Sequence, residues 1–305
     1  MSRIAPIILK AILSEQGVPV TRTRLMKLMF LLSKEDVIKE SGYHFYEFLP
    51  YQYGPYSFSA DRDILWMVNQ KEILSDGTHY EVNKTGEYRN QIESLPINLR
   101  NKVRALVEHY REYRDGRLVK LVYQYFPAYT MLSQLVSNPP VRPVAKVANY
   151  TMGYEGTSID GFLRALIFGG IQRVVDVRNN PISRCYGYSG KTFNTLCSRI
   201  GVDYLHLPQL GIPSSARKEL EHPEDYQHLF QYYENKILKG HPSDIKEAAE
   251  LVKEKPSVLV CFEKDPLFCH RSRLAKHLHR INTLPVIHME ASCAGSPPFT
   301  YWCET

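Results

Sequence analysis

The stretch at residues 257–278, SVLVCFEKDPLFCHRSRLAKHL, joins an apolar strand, a polar loop and a basic helix. Residues 258–260 form a β-branched run that is typical of a parallel strand covered on both faces. The loop then places Glu263 and the turn Cys269-His270-Arg271 near the carboxyl end of this strand. Open α/β sheets bind ligands at that edge, where helix N-termini also attract anions. The stretch therefore predicts a parallel α/β fold with a site at this position.

The composition is that of a globular protein with one large or two ordinary cores, since 44% of the 305 residues are hydrophobic and 23% are charged. The sequence contains no run of about 18 apolar residues, so we expect no membrane span. Lys10 and Glu15 interrupt the apolar N-terminus, which favours an amphipathic helix over a signal peptide. All six cysteines lie in the second half without framework spacing, which favours reduced thiols and a cytoplasmic location.

A proline-rich linker at residues 137–147 separates two predicted domains, residues 1–136 and 148–305. Its prolines cannot continue a helix or occupy a central strand, and they favour an extended spacer. The net charge of +6 is unevenly distributed: residues 1–150 hold 20 Lys and Arg against 15 Asp and Glu, whereas the remainder holds 18 against 17. The basic surplus therefore belongs to the first domain.

The first domain combines helical periodicity with a hairpin pattern. Apolar residues recur at helical spacing over residues 4–12 and 22–32, and a third helix is predicted over 61–70. Two short strands joined by Asp76-Gly77 follow. Helices followed by a hairpin are the pattern of a winged helix-turn-helix, so we expect a mainly helical winged-helix domain.

Three short motifs of this domain occur in a familiar order: LMKLMFLL at residues 25–32, YGPYS at 53–57 and YEVNKTG at 80–86. Over roughly the first 135 residues the succession resembles the Panacea antitoxin-type domain. The resemblance implies a winged-helix-like module that makes regulatory or protein-partner contacts.

The second domain alternates predicted strands and helices. Strands are predicted at residues 150–153, 173–177, 204–207, 258–261 and 285–288. This alternation predicts a Rossmann-like, doubly wound parallel sheet. Three of the strands end in polar residues, and in a parallel sheet these ends share one edge. We therefore expect a cleft formed by Tyr154, Glu155, Asp176, Arg178, Glu263 and the turn Cys269–Arg271.

Four ordered motifs of the second domain carry a second resemblance. They are TMGYEGTS at residues 151–158, DVRNNPIS at 176–183, YLHLPQLG at 204–211 and CFEKDPLFCHR at 261–271. Over about residues 150–290 the sequence resembles the domain of unknown function 488 family. The family pattern usually continues after Gly211 with a second glycine and a basic residue, whereas Ile212-Pro213-Ser214 stands here. The resemblance implies a fold more than a reaction.

The candidate catalytic residues are the carboxylates Glu155, Asp176 and Glu263. Two carboxylates at one crevice suit the hydrolysis of a glycosidic or N-glycosidic bond, where one protonates the leaving group or orients water. Arg178 and Arg271 are candidate phosphate ligands because Arg makes bidentate contacts. A buried salt bridge with Asp176 or Glu263 is the alternative for both arginines.

The remaining candidates are Tyr154 and the turn Cys269-His270. Tyr154 suits stacking on a base or sugar, with core packing as the alternative. Cys269 begins a helix beside Arg271, which favours a thiolate that binds phosphate or acts as a nucleophile; a helix-cap cysteine is the alternative. Cys261, Cys269 and His270 have the right types for zinc, but the seven-residue gap between the cysteines is not a usual chelating spacing. We therefore predict no metal and no cofactor.

A basic cluster on the second predicted helix, Arg22, Arg24 and Lys27, is the candidate nucleic-acid contact, with a solvated helix face as the alternative. The leading hypothesis is a nucleic-acid-associated hydrolase of an N-glycosidic or phosphoester bond, acting on a nucleotide, base or sugar. Removal of a modified or damaged base in DNA repair or defence is one such reaction. The alternatives are a non-catalytic DNA- or partner-binding regulator with a ligand-sensing α/β domain, and a thiol enzyme that uses Cys269.

Overall fold

The chain divides into two units, Met1–Val141 and Arg142–Thr305. The computed structural model describes residues 4–40, 42–84, 88–217, 223–290 and 301–303. Residues 85 and 86 of the motif that begins at Tyr80 therefore lie outside the described part. None of the helices in these ranges has the length and hydropathy that crossing a membrane requires.

The first unit is mainly helical. Its elements are α1 (Ile4–Gln16), β1 (Val20–Thr21), α2 (Arg22–Leu32), α3 (Asp36–Lys39), β2 (Leu49–Tyr51), β3 (Gly54–Tyr56), α4 (Phe58–Asn69), β4 (Ile73–Ser75), β5 (His79–Val82), α5 (Tyr88–Glu93), α6 (Ile97–His109) and α7 (Asp115–Tyr125). Strands β1, β5 and β4 form an antiparallel sheet in that order, and β2 pairs with β3. The three predicted helices and the predicted hairpin are thus present.

Helix α2 is buried on nearly all sides, which decides which of its basic residues reach solvent. The side chain of Thr21 caps the helix by accepting from the Arg24 backbone N–H at 3.1 Å. Apolar side chains follow in almost every later position, and those from Leu25 to Leu32 lie in the core together with Lys27. The helix packs against α6, α7 and β3, so it is a core element and not a surface helix.

The second unit alternates strands and helices. Its elements are β6 (Asn149–Gly153), α8 (Ile159–Phe168), β7 (Arg173–Asp176), α9 (Gly190–Arg199), β8 (Asp203–His206), α10 (Pro223–Tyr232), a π-helical turn (Tyr233–Leu238), α11 (Pro242–Glu254), β9 (Ser257–Cys261), α12 (His270–Asn282), β10 (Val286–Met289) and β11 (Tyr301–Cys303). The strand order is β11-β10-β6-β9-β7-β8, with β11 antiparallel and the other five parallel.

Helices cover both faces of this sheet. Val175 and Leu259 lie in one core cluster with residues of α11 and α12. Side chains alternate along a strand, so Tyr204 and Asp176 point to the opposite face, where the Tyr204 ring contacts Phe193 of α9. The predicted α/β architecture is confirmed: a five-stranded parallel sheet flanked by helices, consistent with a Rossmann-like fold.

Part of the predicted linker packs on the second unit. The Arg142 guanidinium donates to the carbonyl oxygens of Ile200 and Ile171 at 2.6 and 3.1 Å. The Ala145 N–H donates to the carbonyl oxygen of Gly170 at 3.1 Å. Gly170 has φ +67°, and a Cβ there would lie 2.5 Å from the Ala145 nitrogen, so only glycine fits this contact. The segment from Arg142 onward is therefore anchored.

Candidate functional site

Asp176 and Arg178 form a buried ion pair at the carboxyl end of β7. Asp176 is fully buried, and 4% of Arg178 is exposed. The Arg178 Nε and Nη2 atoms donate to the two carboxylate oxygens at 2.8 and 2.5 Å, and the Tyr204 hydroxyl donates to the same carboxylate at 2.7 Å. Burial works against the charge on Arg178, but the contacts with Asp176 outweigh it and raise the Arg178 pKa.

The Arg178 side chain of this ion pair also contacts two stacked tyrosines. Arg178 Nη1 donates to the Tyr154 hydroxyl at 2.8 Å, and Nη2 donates to the Tyr188 carbonyl oxygen at 2.8 Å. The rings of Tyr154 and Tyr188 stack at a centroid distance of 4.1 Å and an angle of 14°. Tyr154 is only 4% exposed. For Arg178 and Tyr154 the structure thus shows a buried salt bridge and ring packing, and both residues form the floor of a cleft.

This cleft lies beyond the carboxyl ends of β6, β7 and β9 and has a volume of about 460 Å³. It is lined by Tyr154, Arg178, Asn179, Asn180, Ile182, Ser183, Arg184, Cys185, Ile212, Ser214, Arg217 and Phe262. Arg184 and Arg217 bring positive charge, the two asparagines bring amides, and the Phe262 side chain is 40% exposed. Such a lining suits a ligand that has both an anionic group and a flat apolar part.

Glu263 lies beside this cleft. Its Oε1 atom is 3.6 Å from an Nη atom of Arg217, and its side chain is 25% exposed. Its Oε2 atom accepts from Cys261 Sγ at 3.3 Å. Burial works to raise the Glu263 pKa, but hydrogen bonding by Cys269 and the charge of Arg217 outweigh it, so the pKa is lowered. Glu263 is the predicted carboxylate that is both partly exposed and next to an arginine of the cleft.

Glu155, the other predicted acid, has a different position. It is exposed, it is not part of the cleft lining, and its Oε2 atom accepts from the Lys264 backbone N–H at 3.0 Å. Its own backbone N–H donates to the Phe262 carbonyl oxygen at 2.8 Å. The expected convergence of Glu155, Asp176 and Glu263 on one crevice is therefore not observed, because Glu155 ties down a loop and Asp176 is enclosed.

Arg271 stabilises the loop that follows β9, which is also the loop that Glu155 contacts through Lys264. It is 1% exposed, and its guanidinium donates to the carbonyl oxygens of Glu263 and, at 2.8 Å, of Lys264. The predicted phosphate-holding role does not fit this geometry, since the fork is directed at backbone carbonyls. The sequence pointed to Arg271 as a ligand contact, and the structure makes it a loop anchor.

Cys269 is also buried, together with Cys261 and His270. Both cysteines are fully buried, His270 is 2% exposed, and all three lie on the side of the sheet covered by α12. Burial raises the pKa of the Cys269 thiol well above its usual value, and the neighbouring Cys261 adds to the effect. Burial therefore works against the thiolate that the sequence predicts at this helix start, and it outweighs the nearby positive charge of Arg271.

The three predicted nucleic-acid contacts are largely used inside the first unit. Arg24 is buried and donates to Gln16 and to backbone carbonyl oxygens of the segment after α6. Lys27 is 2% exposed and donates to the Pro55 carbonyl oxygen at 3.1 Å. Arg22 is partly exposed, but it lies 3.3 Å from Asp61. Arg24 and Lys27 are therefore not placed to grip a phosphate backbone, because α2 is a core helix.

Lys27 should control the pH dependence of stability in the first unit. Burial lowers its pKa from 10.5 to about 7, so between these values the unfolded chain binds a proton that the folded chain does not. Stability should therefore rise with pH over this window, by at most about 5 kcal/mol. Lys27→Met should remove this slope and be most stabilising below pH 7. Urea unfolding at pH 6.5 and 9.5 tests this, with the exposed Lys120→Met as control; an unchanged slope in Lys27→Met would contradict it.

Two arginines of the cleft were not predicted from the sequence. Arg184 lies in the loop after β7, and Arg217 ends a short 3₁₀ turn that follows Pro213. Neither position follows a strand directly, and neither belongs to a periodic pattern. The available signal was the length of the two loops, since long loops at the carboxyl edge of a sheet frequently carry binding residues.

The comparisons with known proteins agree with the second-domain resemblance. Residues 158–278 match the family described as Domain of unknown function DUF488. This match supports the resemblance predicted for about residues 150–290 and does not extend to the first unit. No curated protein and no solved structure matches the chain. The second unit is thus similar to this family over residues 158–278.

Proposed function

We propose that the second unit binds a nucleotide, free or at the end of a nucleic acid, and hydrolyses its N-glycosidic or phosphoester bond. The observation that carries the proposal is the cleft of about 460 Å³ whose lining includes Arg184, Arg217, the exposed Phe262 and the buried Tyr154. Arginine side chains suit phosphate, and a base can stack on Phe262. Glu263, next to Arg217, is the carboxylate that serves as general acid or base.

The Asp176–Arg178 pair contributes positioning in this scheme. It holds Tyr154 and Tyr188, and through them the cleft floor, in one arrangement. A ligand that enters the cleft then meets side chains that are already ordered, which reduces the entropy cost of binding. Arg271 and Glu155 do the same for the loop that carries Phe262 and Glu263.

For the first unit we propose a winged-helix-like module that contacts a protein or nucleic-acid partner. The succession α1, β1, α2, α4 and the hairpin β4-β5, with β5 central in its sheet, supports this proposal. Because Arg24 and Lys27 are buried, we place any nucleic-acid contact of this unit outside α2. Exposed Leu65 and Trp66 on α4 favour a protein partner for this unit.

Binding is tested with the full chain, adenosine monophosphate and a short single-stranded oligonucleotide in calorimetry. Arg184→Ala and Arg217→Ala should each weaken binding about 10- to 100-fold, because each removes a charged contact to phosphate. Arg280→Ala on α12, an exposed arginine outside the cleft lining, is the matched control and should bind like the parent. Binding that is absent in the parent, or equal in all four proteins, would overturn the proposal.

Turnover is tested by separating released base from released phosphate after incubation with the same ligands. Glu263→Gln should keep binding and lose about 100-fold or more in rate, since it removes the acid–base group. Glu247→Gln on α11, an exposed carboxylate, is the control and should retain the rate. Equal rates in Glu263→Gln and the parent would rule out the acid–base role of Glu263.

A second candidate function is a regulator that senses a ligand in the same cleft. It is favoured by the enclosure of Asp176, Arg178 and Arg271 in internal contacts, which leaves few groups for chemistry. Ligand binding without any product, together with a loss of binding in Arg217→Ala, would favour the regulator over the hydrolase.

A further inference from the structure

Three side chains with zinc-ligand chemistry meet beneath the loop that joins β9 to α12. The Sγ atoms of Cys261 and Cys269 and a ring nitrogen of His270 all lie within 4.8 Å of one another. Cys261 is the last residue of β9, Cys269 directly precedes α12, and His270 is its first residue. The end of a core strand and the start of a core helix therefore hold the three side chains.

The orientation of His270 is the one that a ligand needs. Its Nε2 atom lies 3.0 Å from the Val177 carbonyl oxygen, which can only accept, so Nε2 carries the proton. Nδ1 then carries the lone pair and lies within hydrogen-bonding distance of Cys261 Sγ, at 3.6 Å. A tetrahedral zinc with ordinary bond lengths separates a thiolate sulfur from an imidazole nitrogen by about 3.6 Å. A metal-binding histidine commonly donates its other N–H to a backbone carbonyl in this way.

An acidic side chain lies beside these three groups. The Glu263 carboxylate contacts the thiols of both cysteines, with Oε2 at 3.3 Å from Cys261 Sγ. We propose that Cys261, Cys269 and His270 bind a zinc ion through Sγ, Sγ and Nδ1, with the fourth position facing Glu263. Thiolate and imidazole ligands select zinc over magnesium or calcium.

Charge and protons balance in this step. Two S–H bonds break, two Zn–S bonds form, and two protons leave to solvent, while His270 binds as the neutral imidazole. The two thiolates neutralise the ion, so zinc with its three ligands carries no net charge, and the Glu263 carboxylate adds its own negative charge beside them.

The expectation of no metal rested on the seven residues between Cys261 and Cys269. Chain spacing measures ligand separation only within one turn or hairpin, whereas here a strand end and a helix start are brought together by the sheet. Zinc binding itself does not depend on the proposed hydrolysis. One consequence does rest on the proposed function: a water at the fourth position would be activated by the ion, with Glu263 as its base.

The test is metal analysis of the full chain purified under reducing conditions without chelator. We expect about one zinc per chain. Removal of one ligand should lower the zinc affinity by more than the 10- to 100-fold that is typical when a residue hydrogen-bonded to a ligand is removed. Cys261→Ser, Cys269→Ser and His270→Gln should therefore lose the zinc. Cys197→Ser, which changes another buried cysteine, and Cys185→Ser, which changes an exposed one, should retain it.

Cobalt substitution in the unmodified chain keeps the test informative where a variant does not fold. Cobalt should give the intense thiolate-to-metal absorption of a tetrahedral site, and zinc should displace it. A chain that holds neither metal, or that contains a Cys261–Cys269 disulfide in the reducing preparation, would overturn the proposal. Zinc retained in Glu263→Gln with turnover lost supports both proposals, whereas zinc present without any turnover in the parent overturns only the hydrolase.

Discussion

Replacing Arg178 by methionine is expected to lower the free energy of unfolding of the second unit by about 3–5 kcal/mol, the usual cost of breaking a buried ion pair. The reason is the environment of Asp176, which is fully buried and whose carboxylate accepts from Arg178 through both oxygens. Methionine fills the space of the arginine stem but supplies no charge. The carboxylate would keep the Tyr204 hydroxyl and one backbone N–H, too little to replace its hydration.

Native-state hydrogen exchange measured by mass spectrometry tests this, because it reports each unit separately. Protection should fall across β6 to β10 and stay unchanged in α1 to α7, which serve as the internal reference. Glu250→Gln, which removes an exposed ion pair with Lys253, should change stability by less than about 0.5 kcal/mol. Asp176→Asn combined with Arg178→Met should lose less than Arg178→Met alone, since no unpaired carboxylate remains. Equal losses in the single and double variants would contradict the ion-pair explanation.

Gly153→Ala is expected to destabilise the second unit by about 3 kcal/mol or more and to abolish ligand binding in the cleft, because it overpacks a backbone contact. A Cβ on Gly153 would lie 1.8 Å from the carbonyl oxygen of Glu263 and 2.6 Å from its carbonyl carbon. That carbonyl cannot simply move aside, because Arg271 donates to it. The loop that carries Phe262 and Glu263 would be displaced as a whole.

Chemical denaturation and the calorimetric binding assay together check this expectation. Gly240→Ala is the matched control in the same unit, since a Cβ there meets nothing within 4 Å. It should leave stability unchanged or raise it by up to about 1 kcal/mol, the helix preference of alanine over glycine. A Gly153→Ala protein with the stability and ligand affinity of the parent would show that the loop tolerates displacement.

Periodicity was sufficient for the strands of the five-stranded parallel sheet and for the helices between them. Alternating apolar strands and amphipathic helices predict a parallel sheet, and a parallel sheet places the ends of β6, β7 and β9 at one edge. The polar residues at those ends were therefore predicted to be neighbours, and Tyr154, Asp176 and Arg178 are in contact. This part of the site follows from topology, which local patterns determine.

The sequence did not predict which contacts each side chain makes. Arg24 and Lys27 lie on a helix whose burial depends on several other elements, and a helix pattern does not state which neighbours cover it. Arg271 beside a helix start is equally compatible with a free phosphate ligand and with a loop anchor. Only the position of the Glu263 carbonyl distinguishes the two.

The sequence by itself determined the parallel α/β sheet and the sheet edge at which the cleft lies, because these depend on patterns a few residues long. Tertiary structure alone decided that Arg178 forms a buried ion pair with Asp176. It also decided that Arg184 and Arg217 bring positive charge to the cleft, and that the side chains of Cys261, Cys269 and His270 lie together. These outcomes depend on distances between segments far apart in the chain. Such distances are set by packing of the whole core, which no local pattern encodes.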